Sequence, residues 1–194
     1  MLEMPIFNQE KFNLDNAEAL ARQARVVNIN SYLADGFEKV CDVIGGYNEW
    51  QYKNINRELM YSTHTSWVYF IVENEEIVKC GETGNPLGIR ETYGSASSAS
   101  YETQPVGSSK CRFGRLRKGD GTDSYIRESL YSRFRAGYKI SLWAKKCKIH
   151  VLKENIGGIE QKVDTSFHKN LEQMYLSNFK FQTGNLPRLN KASK

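Results

Sequence analysis

The stretch "WVYFIVENEEIVKCG", Trp67 to Gly81, limits the folds open to this chain more than any other. Every residue from Trp67 to Val72 is apolar, so the strand has no solvent face and must lie within a sheet covered on both sides. Asn74-Glu75 interrupts the run, and strand formers return through Ile77 to Cys80, predicting a hairpin with strands at 67–73 and 76–80. The fold class that follows is α/β (α+β): a small central antiparallel sheet flanked by helices.

Within this apolar hairpin stand two polar groups, Tyr69 and Lys79. A buried phenol without a partner costs roughly 1–3 kcal/mol, and Lys79 on the returning strand is the nearest candidate partner if register brings the two together. An ammonium beside a phenol favours the phenolate, and moving a tyrosine from ~10 to ~7 takes about 4 kcal/mol. On the hairpin alone, a lysine snorkelling from a strand end is the simpler reading.

Elsewhere the chain alternates helical and irregular patterns. Asp15 or Asn16 offers a start signal for a helix through Leu20, Ala21 and Ala24. A second helical pattern runs through Phe37, Val40, Cys41 and Ile44 and stops at Gly45-Gly46, so residues 1–65 read as an N-terminal helical extension. Residues 47–66 read as a connector with helix in its middle, and Asn85-Pro86 as the entry to a short helix. Residues 94–124 read as a long basic loop. Thr122-Asp123-Ser124 starts a helix closed by Gly137, "YKISLWAKKCKIHVL" is a strand, and Asp164 to Phe179 is the last helix. The division is thus 1–65 and 66–194, with an extension suited to dimerisation or to framing DNA.

Charge separates the segments. The net formal charge is +5, but residues 90–153 carry fourteen Lys/Arg against five acids, while residues 1–65 carry six against nine. A local basic excess suits an anionic polymer, although a solvated basic face explains charge alone. Cys41, Cys80, Cys111 and Cys147 form no C-x-x-C pair, and with His64, His150 and His168 they lack zinc-ligand spacing. "GETGNPLG" lacks the Lys-Ser/Thr of a phosphate loop, and no Gly-x-Ser-x-Gly is present. The start "MLEMPIFNQE" has no secretory-signal pattern, and no 18-residue apolar window exists, so the expectation is a cytoplasmic protein without membrane contact.

Four residues then fall into one order: "WVY" with Tyr69, "KCG" with Lys79 and Gly81, Arg90 after "GETGNPLGI", and Glu172 on the last helix in a stripe with His168, Tyr175, Leu176 and Phe179. This pattern over roughly residues 66–190 resembles the GIY-YIG nuclease superfamily. Lysine in place of the tyrosine that opens the second motif resembles a subgroup of Type II restriction endonucleases. "NLPRLN" resembles the segment that closes the domain, with Asn190 at the asparagine position. The first motif lacks its glycine and isoleucine, which are packing positions.

The resemblance implies a magnesium-dependent endonuclease for double-stranded DNA, with manganese as a substitute. It assigns Tyr69 as general base, Lys79 as the group that lowers its pKa, Arg90 as phosphate holder and Glu172 as ligand of one divalent metal. Whether His168, Tyr93 or Asn190 assists is open at this point. Lys110, Arg112, Arg115, Arg117 and Lys118, interleaved with Phe113 and glycines, are expected to contact DNA. A phage or mobile-element nuclease and a non-catalytic DNA-binding module are the alternatives. A two-fold homodimer would suit cleavage of both strands at a palindrome.

Overall fold

The computed structural model describes residues 26–45, 50–89, 111–119, 121, 123–156 and 159–190. Its main sheet has five strands: β1 (Glu38–Ile44), β2 (Gln51–Lys53), β3 (Trp67–Glu73), β4 (Glu76–Thr83) and β5 (Ile140–Lys146). Their order is β2-β1-β5-β3-β4, and every neighbouring pair is antiparallel. Strands β6 (Ile149–Ile156) and β7 (Ile159–Ser166) form a separate two-stranded sheet. The α-helices among the described residues are α1 (Arg57–Met60), α2 (Arg112–Lys118), α3 (Asp123–Arg135) and α4 (His168–Thr183).

The apolar run of β3 is explained by what covers its two faces. Trp67, Tyr69 and Ile71 join a core with Phe113 and Leu116 of α2 and Ile126 and Leu130 of α3. Val68, Phe70 and Val72 join another with Tyr32, Phe37 and the α4 residues Tyr175 and Phe179. All seven β3 residues are buried, as expected of an inner strand clothed by helices on both sides.

The predicted hairpin forms at its predicted place. Asn74 and Glu75 both take positive φ, 45° and 75°, as a two-residue hairpin turn of the primed type requires. The Asn74 side chain accepts from the Lys139 backbone N–H at 2.8 Å, tying the turn to the start of β5. β4 is an edge strand, and the C-terminal segment covers its open side. Leu189 N donates to Val78 O at 2.8 Å, and the Asn190 amide pairs with both backbone groups of Cys80, at 2.9 and 2.7 Å. The buried Glu73 carboxylate anchors the same segment by accepting from Arg188 at 2.5 Å and from Arg133 of α3 at 3.0 Å.

Several sequence expectations are corrected. The helical pattern through Phe37, Val40, Cys41 and Ile44 is strand β1, paired to β5 and β2, so Glu38–Ile44 and Gln51–Lys53 belong to the sheet and not to a helix. A bulge between Lys39 and Cys41 buries Val40 and Cys41 consecutively, and that break in alternation imitates helical spacing. The helix expected in residues 1–25 lies outside the described residues. Residues 85–89 hold no helix. Instead, Pro86 O and Leu87 O accept the first amides of α2, from Arg112 N and Phe113 N, both at 2.9 Å. The expected loop at 94–124 contains α2, closed by Gly119 at φ 76°. Finally, residues 164–166 are still paired in β7, so the last helix starts at His168 and runs to Thr183.

Candidate active site

Register sets the centre of the site. Tyr69 of β3 lies opposite Gly81 of β4, and a Cβ built on Gly81 would stand 2.4 Å from both Cζ and Oη of Tyr69. The absence of a side chain at Gly81 is therefore what lets the phenol lie across β4. Phe113 meets the ring edge-on at 6.0 Å, holding it from the helix side. Strand alternation puts Lys79 on the same face as Tyr69, because its register partner is Ile71.

The phenol's hydrogen-bond partner is not Lys79, as the sequence suggested, but Arg112. Its Nε donates to Tyr69 Oη at 2.8 Å, and its two terminal nitrogens donate to the two Asp123 oxygens at 2.5 and 2.8 Å. Arg112 is thereby corrected from a loop residue free to contact DNA to a buried group, 6% exposed, committed to Tyr69 and Asp123. Burial pushes the Tyr69 phenol above its ordinary range, and Arg112 opposes that rise. Burial disfavours the Arg112 charge as well, but Tyr69 and Asp123 outweigh it and hold the guanidinium protonated.

A cleft of about 280 Å³ opens beside this group, lined by Tyr69, Lys79, Gly81, Glu82, Glu172 and Asn190 among others. Lys79 Nζ lies 3.5 Å from Leu189 O, and burial, followed by the Arg112 charge, lowers its pKa. Glu172 reaches the cleft from α4, and burial, then the neighbouring Glu82 carboxylate, raises its pKa, with Lys79 opposing. Glu82 also receives His168, Nε2 to Oε2 at 3.1 Å, while Nδ1 of that ring lies 3.2 Å from Ser66 Oγ. Asn190 lines the cleft with its amide spent on the Cys80 backbone.

Three of the four expected catalytic residues, Tyr69, Lys79 and Glu172, thus meet in one cleft from β3, β4 and α4. Arg90, Tyr93 and Lys110 lie outside the described residues. Arg115, Arg117 and Lys118 are carried by α2, where Arg117 Nε donates to Trp50 O at 3.0 Å. Sequence reasoning missed Glu82, Asp123 and Tyr125 as lining residues. For Glu82 a signal existed, an acid on the return strand close after Lys79. Asp123 was legible only as a helix start, since its partner sits on a different helix.

Among the described residues no group of three or more His, Cys, Asp or Glu side chains is placed to hold a metal ion. The donor set of the cleft nevertheless fits a hard divalent cation. Glu82 and Glu172 are two carboxylates on one cleft, burial and the Glu82 charge make Glu172 costly to ionise, and a magnesium ion is commonly held by one or two carboxylates while keeping several waters.

No family model matches the chain, and no curated protein matches it in sequence. Among solved structures, a mutant of bacteriophage T4 EndoII aligns with a TM-score of 0.52 at 14% identity, over 85% of this chain and 99% of that one. A restriction endonuclease, HPY188I in complex with product DNA, aligns with a TM-score of 0.41 at 13% identity, over 90% and 91% of the two chains. The second likeness is too slight to carry an argument. The first places the five-stranded antiparallel sheet and its flanking helices in the same fold as EndoII.

Proposed function

We propose that this chain is a divalent-metal-dependent endonuclease for double-stranded DNA, of GIY-YIG type and with the lysine variant seen in Type II restriction enzymes. The observation that carries the reading is the meeting of Tyr69 and Lys79, from one hairpin, with Glu172, far from them in sequence, on one cleft with Gly81 beneath the phenol. Agreement between a motif order read from sequence and a cleft assembled in space is a demanding coincidence for a purely structural protein. The fold shared with EndoII is compatible with this reading.

Hydrolysis of a phosphodiester needs a proton acceptor for the attacking water and positive charge around the phosphate. In this assignment Tyr69, as the phenolate, takes the proton of the attacking water at Oη and becomes the neutral phenol. Lys79, on the same face, donates to a phosphate oxygen and stabilises the phenolate before that transfer. Glu172, helped by Glu82, would hold the magnesium, which supplies charge neutralisation on the phosphate when bound. Arg90 is assigned to the phosphate by the resemblance alone, and Arg115, Arg117 and Lys118 of α2 to the DNA backbone or bases. A phage role is a second reading, favoured by the fold shared with a phage protein. Homodimerisation and a cytoplasmic setting complete the proposal. Among the described residues no helix is long and apolar enough to cross a membrane.

The test is plasmid DNA incubated with the protein and Mg²⁺, beside Glu172→Ala. Discrete metal-dependent bands lost in the variant support a site-specific nuclease, and a smear lost in the variant supports a nuclease of relaxed specificity. Salt-sensitive DNA binding without cutting by either protein leaves a binding module and rejects the enzyme.

A further inference from the structure

Arg112 and Asp123 have no part in the mechanism above, yet their side chains are only 7% and 9% exposed. Burying an ion pair costs several kcal/mol per ion, and mutual attraction does not generally return all of it. An apolar pair would join α2 to α3 at less cost, so the charges call for another explanation. The third contact provides one: after Asp123 takes both terminal nitrogens of the guanidinium, the remaining Nε is aimed at Tyr69 Oη. The backbone holds both partners in place. Arg112 stands at the start of α2, whose first amides are bound by Pro86 O and Leu87 O, and Asp123 occupies the first turn of α3.

We propose that the Arg112–Asp123 pair is a positioning device for Tyr69: Arg112 fixes the direction of the hydroxyl and favours its ionised form, while Asp123 locks the guanidinium fork and tempers its charge. This inference rests on Tyr69 serving the reaction proposed above. Because Nε donates to Oη, the remaining valence of the phenol oxygen is left for the cleft. The charged and titratable groups that face it there are Lys79 and Glu82 of β4, Arg112 of α2, Asp123 and Tyr125 of α3 and Glu172 of α4. Arg112 opposes the burial of the phenol, whereas Asp123 and Glu172 add to its effect.

The two halves of the pair therefore act on Tyr69 with opposite sign. The experiment is the pH–rate profile of DNA cleavage for the wild type, Arg112→Gln, Arg112→Lys and Asp123→Asn. A second readout is fluorine NMR of a fluorotyrosine placed at position 69 in each, which follows ionisation of that phenol without requiring activity. The expected result is a midpoint raised by about one unit in Arg112→Gln and lowered by a similar amount in Asp123→Asn, with Arg112→Lys between Arg112→Gln and the wild type. Midpoints that move together, or not at all, in folded variants overturn the inference. Should no protein cut DNA, opposite fluorine shifts would keep the positioning device while the nuclease reading fell. Should Arg112→Gln not fold, Asp123→Asn decides: a midpoint at or above that of the wild type overturns the proposal.

Discussion

Tyr69 and Phe70 are neighbours on one strand and are equally hidden, at 2% and 0% exposure, but they look into different worlds. Phe70 stacks on Phe37 at 4.1 Å and meets Tyr32, Tyr175 and Phe179 edge to face, an arrangement that gains from area and geometry alone. Tyr69 is bound by Arg112 and shares its side of the sheet with Lys79. The polar groups of that side cost desolvation, a sign that they are retained for something other than stability. Two faces of one strand thus divide the work, one holding the sheet to α4 and the other facing the candidate chemistry.

The contrast is sharpened most by truncating each neighbour in turn. Phe70→Ala is expected to lower stability by about 3–5 kcal/mol while the folded fraction keeps its specific activity, read by denaturant titration and by cleavage per folded molecule. A large loss of specific activity in that variant would erase the distinction between the faces. Gly81→Ala should have the next largest effect, because the new Cβ would stand 2.4 Å from the phenol that Arg112 and Phe113 hold in place. Displacing the ring is expected to lower cleavage about 100-fold and stability by about 1–3 kcal/mol, so rate should suffer more than the melting curve suggests.

The smallest change concerns Glu172, whose carboxyl is pushed up by burial and by Glu82. With the folded pKa above the unfolded value, the group's favourable contribution is present below the ordinary glutamate range of about 4.3 and is lost as pH rises through the folded value. At neutral pH the ionised carboxylate therefore costs stability. Glu172→Gln is expected to melt higher than the wild type at pH 7 in chelator and to lose that advantage in acid. The group is only half-buried, and solvent screening keeps the gain below about 1 kcal/mol. The same variant should not cut DNA. A variant that melted lower at neutral pH would show that Glu172 is a structural residue.

Legibility followed the range of the interactions. The β3–β4 hairpin was readable because its strands, turn and register are local, and Tyr69, Lys79 and Gly81 came with it. Glu172 was readable through its place in a motif order and through the aromatic stripe of its helix. The bulge at Val40 hid β1, since two consecutive buried residues destroy the alternation by which a strand is recognised. Gly114 and the basic residues around it hid α2, a seven-residue helix whose first amides are satisfied by Pro86 and Leu87, a long way back in the chain. The same distance hid the Arg112–Tyr69 bond: nothing near residue 112 reveals that a tyrosine from β3 waits beneath it.

The claim that matters most is that the Tyr69 face of β3 performs phosphodiester hydrolysis. Mg²⁺-dependent DNA cleavage by Tyr69→Phe, measured beside the wild type with matched melting temperatures, tests it most directly, since a single oxygen is removed and the packing ring is kept. The account predicts a wild type that cuts and a folded Tyr69→Phe slower by about 100-fold or more. A folded Tyr69→Phe that cuts DNA at the wild-type rate would contradict it.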